Sequence, residues 1–162
     1  MKDEDEVESA DGGGSDFGVI AWHEDGRWEL SELADCRDLT RIIDQLKSQR
    51  TNGGAVALIA IDEEFFIAAR YLGTHLQMMI SDVTYAADYD IAADLLDVLD
   101  LPFPEEDDEP QPGGDIDLFK DLGMNEMEIE AISHDVDLFP DEQIDAIATR
   151  LGFGEELAEY LD

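Results

Sequence analysis

Seven consecutive apolar residues, AVALIAI at Ala55–Ile61, constrain the fold of this chain more than any other segment. Side chains on a strand alternate between two faces, so a strand without polar residues has no face suited to water. The run is also far too short to span a membrane, which takes about 20 apolar residues. The acidic triplet Asp62-Glu63-Glu64 follows it as a turn. The run therefore predicts a strand with both faces covered, or one in the middle of a sheet.

The segments around this strand predict an α+β domain over residues 17–101. Asp25-Gly26 is typical of a tight hairpin turn between two short strands. Asp38 is placed to cap a helix whose apolar residues recur at helical spacing. Two more strands follow Ala55–Ile61, and a last helix runs from about Asp90 to Leu101. The predicted order is ββαβββα in an antiparallel sheet, with the helices on one face.

Pairs of large apolar residues in these strands carry expectations about packing. In Phe65-Phe66 and Met78-Met79, one member of each pair must face away from the inner side of the sheet. That outward set needs a helix or a partner to cover it. Separately, Trp22 and Trp28 flank the hairpin turn and are expected to pack against each other as a cross-strand pair.

Three further segments complete the predicted organisation. Residues 1–16 are acidic and glycine-rich, which predicts a disordered tail. Residues 102–114, PFPEEDDEPQPGG, predict an acidic, proline-rich linker that is neither a helix nor a central strand. Residues 115–162 predict a small all-helical domain, in which Asn125 and Glu128 have the spacing of a capping box and Pro140 suits the start of a helix. The pattern leaves open whether this domain docks on the first one or on a partner.

Charge limits the partners that the chain can bind. It has 43 acidic and 9 basic residues among 162, for a formal net charge of −34. Such a chain repels phosphate, which argues against direct binding to nucleic acid or to an anionic membrane. A basic protein surface is the natural complement. Solubility or adaptation to salt is an equally valid interpretation of the same charge. The N-terminal sequence has no apolar core of a signal peptide, and we expect a cytoplasmic protein.

No motif of a catalytic, cofactor or metal site is recognisable. His23, His75 and His134 fall in different predicted elements, as surface histidines do. Cys36 lies beside Arg37, which favours some lowering of the thiol pKa, but no base is indicated for a nucleophile. The sequence therefore predicts a protein that is not an enzyme and that needs no cofactor.

One segment has the aspartates of a cation site but not its full sequence pattern. The segment SDVTYAADYDIAAD holds Asp82, Asp88, Asp90 and Asp94, but it lacks the glycine that a calcium-binding loop needs at its turn. With so many acids in the chain, chance supplies every spacing between carboxylates. We expect these residues to serve as turn and cap residues.

The whole pattern resembles one protein family. FGVIAWHEDGRWE, AVALIAIDEEFFIAARY, the acidic proline-rich linker and DLFPDEQIDAIATRLGF together resemble the actinobacterial tRNA adenosine deaminase-associated proteins, over about residues 17–162. The resemblance implies a link to that enzyme and supplies no catalytic residues. The chain itself lacks the elements of the deaminase, which needs His-x-Glu and Pro-Cys-x-x-Cys to hold zinc. Its one cysteine is Cys36, and Glu24 directly follows His23.

The leading hypothesis is an accessory protein that binds a basic partner, with a tRNA adenosine deaminase as the candidate that the resemblance suggests. Its candidate contact residues are eight acids of the linker and the helical domain: Glu105, Glu106, Asp107, Asp108, Glu109, Asp141, Glu142 and Asp145. Three alternatives stay open. They are a nucleic-acid mimic that inhibits a DNA- or RNA-binding protein, an enzyme with an unrecognised site, and a domain whose acidity reflects only its host. The sequence does not determine the oligomeric state.

Overall fold

A computed structural model of the chain describes residues 16–24, 26–33, 35–49, 54–135 and 137–161. Within these ranges the centre of the fold is a six-stranded antiparallel sheet with the order β2-β1-β3-β4-β5-β6. The strands are β1 Phe17–Glu24, β2 Arg27–Glu32, β3 Ala55–Ile61, β4 Phe65–Leu72, β5 His75–Ile80 and β6 Gly113–Gly114. The α+β class and the antiparallel sheet predicted from the sequence are confirmed.

The apolar run forms β3, which pairs with β1 on one side and β4 on the other. All seven of its side chains are buried. Ala57 and Ile59 point into a first core, whereas Val56 and Leu58 point into a second core on the opposite face. The predicted strand with both faces covered is therefore present, and it needs apolar residues at every position because each face meets a packed layer.

Five α-helices lie in the described ranges: α1 Leu39–Lys47, α2 Asp90–Val98, α3 Glu126–Ser133, α4 Pro140–Leu151 and α5 Gly154–Leu161. The first two pack on one face of the sheet, where Ile42, Leu46, Ile91 and Leu95 are buried against the strands. The predicted ββαβββα order is thus confirmed. None of these described helices combines the length and apolar character that a membrane span requires.

The C-terminal helices cover the other face of the sheet. Phe66 and Met79 from the strands share a core there with Phe119, Ile144 and Phe153. Phe65 and Met78, their neighbours in sequence, belong to the core on the first face. The outward apolar set expected from the sequence is therefore covered by helices of the same chain, and the question of docking that the sequence left open is answered for this face.

The hairpin between β1 and β2 has the predicted short turn, and its register corrects one expectation. Glu24 lies opposite Arg27, and Gly26 in the turn between them has a φ of 79°. The same register places His23 opposite Trp28, and Trp22 opposite Glu29. The predicted Trp22–Trp28 pair is wrong, because the observed register is shifted by one residue from the register that would pair them. Their side chains therefore lie on opposite faces of the sheet.

Trp28 contributes to the second core and not to the hairpin turn. Its ring packs against Phe153 of the C-terminal segment with centroids 4.6 Å apart, and His23 meets it edge-on at 5.3 Å. The predicted tail at residues 1–16, apart from Asp16, and the turn residue Asp25 lie outside the described residues.

The chain passes from the first face to the second through residues 102–114, which we call the crossing segment. Its last two residues form β6, an edge strand that pairs with Met79 and Ile80. Gly114 has a φ of 96°, and a Cβ atom there would lie 2.5 Å from the Met78 carbonyl oxygen. A Cβ atom on Gly113 would meet Val83 at 2.4 Å. This close approach requires glycine at both positions, and it fixes the point at which the C-terminal helices begin to cross the sheet.

Candidate functional site

The eight acids predicted as partner contacts are all exposed, and the structure divides them into two groups. Glu105 to Glu109 lie in the crossing segment before β6, whereas Asp141, Glu142 and Asp145 lie in the first two turns of α4. Two of them also support local structure. Asp108 accepts a hydrogen bond from the Glu105 N–H at 2.8 Å, and Glu142 accepts one from the Phe139 N–H at 3.0 Å.

Glu109 lies in an open groove of about 650 Å³, at the end of the sheet where β3 and β5 finish and β4 begins. Four segments form its walls: the turn after β3, the residues after β5, the crossing segment, and the loop between α3 and α4. We call it the acidic groove because it is lined by five carboxylates: Glu63, Glu64, Asp82, Glu109 and Asp135. Sequence reasoning found only Glu109, since the other four come from segments far apart in the chain.

Among the described residues, no lysine or arginine accompanies the carboxylates of the acidic groove. None of the five takes part in an ion pair within the described part of the chain. Glu63 and Glu109 are exposed, and no described group hydrogen-bonds to either carboxylate. The groove therefore presents a concentration of negative charge that attracts a cationic group.

The turn that carries Glu63 and Glu64 into the groove has a strained backbone. Asp62 and Glu63 both have positive φ, 52° and 58°, and the Glu64 N–H donates to the Ile61 carbonyl at 2.8 Å. Positive φ at both central residues is the geometry of a type I′ turn, which favours Asn-Gly. Side chains with a Cβ atom cost about 1 kcal/mol or more each in this conformation. Carboxylates thus occupy positions where glycine or asparagine is intrinsically more stable.

Two tyrosines hold this turn in place. Tyr85 donates its hydroxyl to Glu64 at 2.7 Å, and Tyr89 donates to Asp62 at 2.9 Å. The Tyr85 ring stacks on Phe65 with centroids 5.1 Å apart, which anchors the network to the core. Burial and the neighbouring carboxylates raise the pKa of Tyr85 above its ordinary value and that of Tyr89 to about 12. Both hydroxyls therefore keep their protons and remain donors near neutral pH.

Arg37 lies on the outer side of the same network. Its guanidinium lies 2.6 Å from Asp16 and 3.3 Å from Asp62. Asp16 in turn accepts a hydrogen bond from the Asp62 N–H at 3.2 Å. This cation stabilises the back of the turn, but it is not among the residues that line the acidic groove.

Phe139 supplies an exposed aromatic ring at the groove. It is the N-cap of α4, and Pro140 takes the first helical position as the sequence predicted. Phe139 is 57% exposed and its side chain makes no capping hydrogen bond. Nearby, Ser133 also lines the groove, and its hydroxyl is buried without a hydrogen-bond partner among the described residues. An exposed aromatic ring beside carboxylates is typical of a binding surface.

The histidines and the cysteine do not assemble into one site in the described residues. His134 lines the acidic groove, His75 is exposed at the start of β5, and His23 contacts Trp28. Burial, together with Asp16 and Asp35, raises the pKa of Cys36 to about 11. Arg37 lowers the pKa of the thiol as expected, but burial and the neighbouring carboxylates outweigh this effect.

Asp82 and Asp88 cap the short helical turn Val83–Ala87, as expected. Asp90 and Asp94 lie within α2, so the expectation of a turn or cap residue is wrong for Asp94. Asp82 accepts hydrogen bonds from the backbone N–H and the hydroxyl of Thr84, at 2.9 and 2.6 Å. Asp90 lies in the first turn of α2, where negative charge is favourable. No three His, Cys, Asp or Glu side chains in the described ranges come together in a way that holds a metal.

The amino-acid sequence matches a known family over residues 16–154, the Rv3753c-like tRNA adenosine deaminase-associated proteins. The chain belongs to this family. It is 36% identical over 151 residues to Protein Rv3753c of Mycobacterium tuberculosis, which covers 90% of this chain and 87% of that protein. No solved structure matches it. The resemblance inferred from the sequence is therefore confirmed, and the family description names proteins associated with the deaminase, not the deaminase itself.

The family match includes every segment that forms the acidic groove. The turn after β3, the crossing segment and the loop before α4 all fall within residues 16–154. One local signal for the groove was present in the sequence. Phenylalanine has no side-chain oxygen with which to cap a helix, so Phe139 directly before Pro140 is an unusual residue at that position.

Proposed function

We propose that this chain is a non-catalytic accessory protein of a tRNA adenosine deaminase and that it binds the enzyme directly. Membership of a family described as tRNA adenosine deaminase-associated carries the proposal. The chain also lacks the cysteine pair with which zinc deaminases hold their metal, since Cys36 is its one cysteine. Since the proposed partner acts on tRNA, we also propose a cytoplasmic location for this chain.

Charge supports a protein partner of this kind. An enzyme that handles tRNA needs lysine and arginine to replace the counterions of the phosphate backbone. A chain of net charge −34 is attracted to such a basic surface, and the attraction speeds the encounter. The same charge disfavours direct contact between this chain and tRNA. We therefore propose a complex in which the acidic chain contacts basic parts of the deaminase.

The contact surface that we propose includes the acids of the crossing segment and of α4. Glu105 to Glu109 and the trio Asp141, Glu142 and Asp145 are exposed. The crossing segment and the start of α4 approach each other, because Glu109 and Phe139 line the same groove. The two groups of acids thus flank a common surface on which one basic partner is able to contact both.

Co-purification tests this proposal. The full-length chain is tagged in its own host and recovered at low salt, with a high-salt wash as the control. We expect a tRNA adenosine deaminase in the low-salt fraction and its loss at high salt, because screening removes the attraction between exposed charges. Recovery of a different basic protein, or of none, contradicts the assignment to the deaminase.

An activity measurement separates an accessory protein from an inhibitor that mimics nucleic acid. The purified chain is added to the deaminase, and both tRNA binding and the deamination rate are measured. An accessory protein leaves tRNA binding intact. Competition with tRNA, with inhibition that more tRNA relieves, contradicts the accessory role.

A further inference from the structure

The acidic groove continues into a second cavity. This cavity has a volume of about 580 Å³ and is lined by Asp107, Asp108 and Glu130. Glu109, Pro110 and His134 line both cavities, so the two form one trough along the surface. A trough with carboxylates along its length suits an extended chain that carries several cations, whereas a single small ligand fills only one part of it.

The exposed ring of Phe139 indicates which cation fits. A guanidinium group stacks on an aromatic face and also donates paired hydrogen bonds to a carboxylate. An ammonium group makes neither the planar stack nor the paired bonds. Glu63 and Glu109 have no described partner, so their oxygens are available to a guanidinium that lies on Phe139.

We infer that the acidic groove is a docking site for an extended, arginine-bearing segment of the partner protein. The arginine stacks on Phe139 and pairs with carboxylates of the turn after β3 and of the crossing segment. The inference rests on the proposed function for the identity of the partner, and it adds the chemistry that is recognised and the place where recognition occurs. It also explains why the strained turn carries carboxylates and why a phenylalanine occupies the N-cap position of α4.

A labelled decapeptide of alternating arginine and glycine is the probe, and the same peptide with lysine is its control. Binding to the full-length chain is measured by fluorescence polarisation at low salt. The groove variant combines Glu63→Gln, Glu64→Gln and Glu109→Gln. The matched variant combines Asp44→Asn, Asp97→Asn and Glu159→Gln, which are exposed, lie outside both cavities and change the net charge equally.

We expect the groove variant to bind the arginine peptide about tenfold more weakly, since three charge pairs are lost. The matched variant should bind within about twofold of the unmodified chain, because distant charges are screened. Phe139→Ser should weaken binding about threefold through loss of the ring. Serine is a good N-cap, so we expect this variant to fold. Thermal unfolding checks that it does.

Equal weakening in the groove and matched variants overturns the inference, because it shows attraction to overall charge alone. Absence of peptide binding, or an equal preference for the lysine peptide, overturns it as well. If the deaminase co-purifies equally with both variants, the proposed function stands and the docking role of the groove is contradicted. If only the groove variant loses affinity for the arginine peptide, but no deaminase co-purifies with the chain, the docking site is supported and the deaminase is contradicted as the partner.

Discussion

Arg70 on β4 shows how one residue connects the C-terminal segment to the sheet. Its side chain is 3% exposed, donates to the Leu118 carbonyl at 3.2 Å and forms an ion pair with Asp121. The Arg70 guanidinium lowers the pKa of Asp121 below its ordinary value of 3.8. Asp121 is largely exposed, so solvent screens the pair and limits its contribution to stability.

Asp121→Asn should lower the free energy of unfolding at pH 7 by about 1 kcal/mol, since the amide keeps a hydrogen bond but loses the charge. A lowered pKa stabilises the fold above the unfolded-state value and loses that contribution as pH falls through the folded-state value. The difference between the two proteins should therefore shrink as the pH falls below 3.8. Urea titrations at several pH values measure it, and a difference that does not change with pH contradicts the ion pair.

The turn after β3 illustrates a conflict between stability and charge at the scale of one structural element. Glu63→Gly removes a Cβ atom from a position with φ of 58° and should raise the free energy of unfolding by about 1 kcal/mol. Glu63→Ala is the matched control, because it removes the same carboxylate but keeps the strained Cβ atom. Thermal unfolding compares the two. An equal gain in both variants means that repulsion between carboxylates, and not backbone strain, destabilises the turn.

Local patterns in the sequence predicted most elements, because each depends on residues close together in the chain. The apolar run at Ala55–Ile61, the Asp25-Gly26 turn and the Asn125–Glu128 capping box are of this kind, and the last is present with both hydrogen bonds, at 3.0 and 3.2 Å. β6 was not foreseen, since Gly113-Gly114 in a proline-rich stretch looks like a linker. Its pairing depends on space beside Met79 that composition does not reveal.

The groove depended on information that no single segment contains. Glu63, Asp82, Glu109 and Asp135 have turn or linker character in the sequence and meet only because the C-terminal helices cross the second face. An amphipathic pattern shows that a helix buries one face, but it does not identify the surface that covers it. The docking of residues 115–162 was therefore left open, and with it the site.

At the scale of the whole molecule, the two cores make the halves of the chain depend on each other. A chain ending at residue 114 loses the cover over Leu58, Phe66 and Met79. An apolar sheet face of this kind, open to water, promotes association. We expect such a truncated protein to be insoluble, or to bind a hydrophobic dye and elute as large oligomers in gel filtration. A soluble, folded monomer of residues 1–114 contradicts a shared core and favours two independent domains.

Net charge gives stability and binding opposite responses to salt. At a net charge of −34 the folded chain repels itself, and unfolding relieves that repulsion by moving the charges apart. Exposed charges interact over about 30 Å at 0.01 M salt but over only about 3 Å at 1 M, because salt screens them. The melting temperature should therefore rise with NaCl across this range, while affinity for a basic partner falls. Circular dichroism melts in NaCl, with choline chloride as the control for specific sodium binding, measure the first effect.

The two responses have to be measured on the same preparation, because each one alone has another explanation. Weaker binding at high salt also follows if the chain unfolds there, and a rising melting temperature excludes that explanation. A melting temperature that is flat or falls with salt shows that the carboxylates are already compensated within the fold. In that case the acidic groove would hold less unbalanced charge than its lining implies, and attraction to a basic partner would have to rest on the exposed acids of the crossing segment and α4.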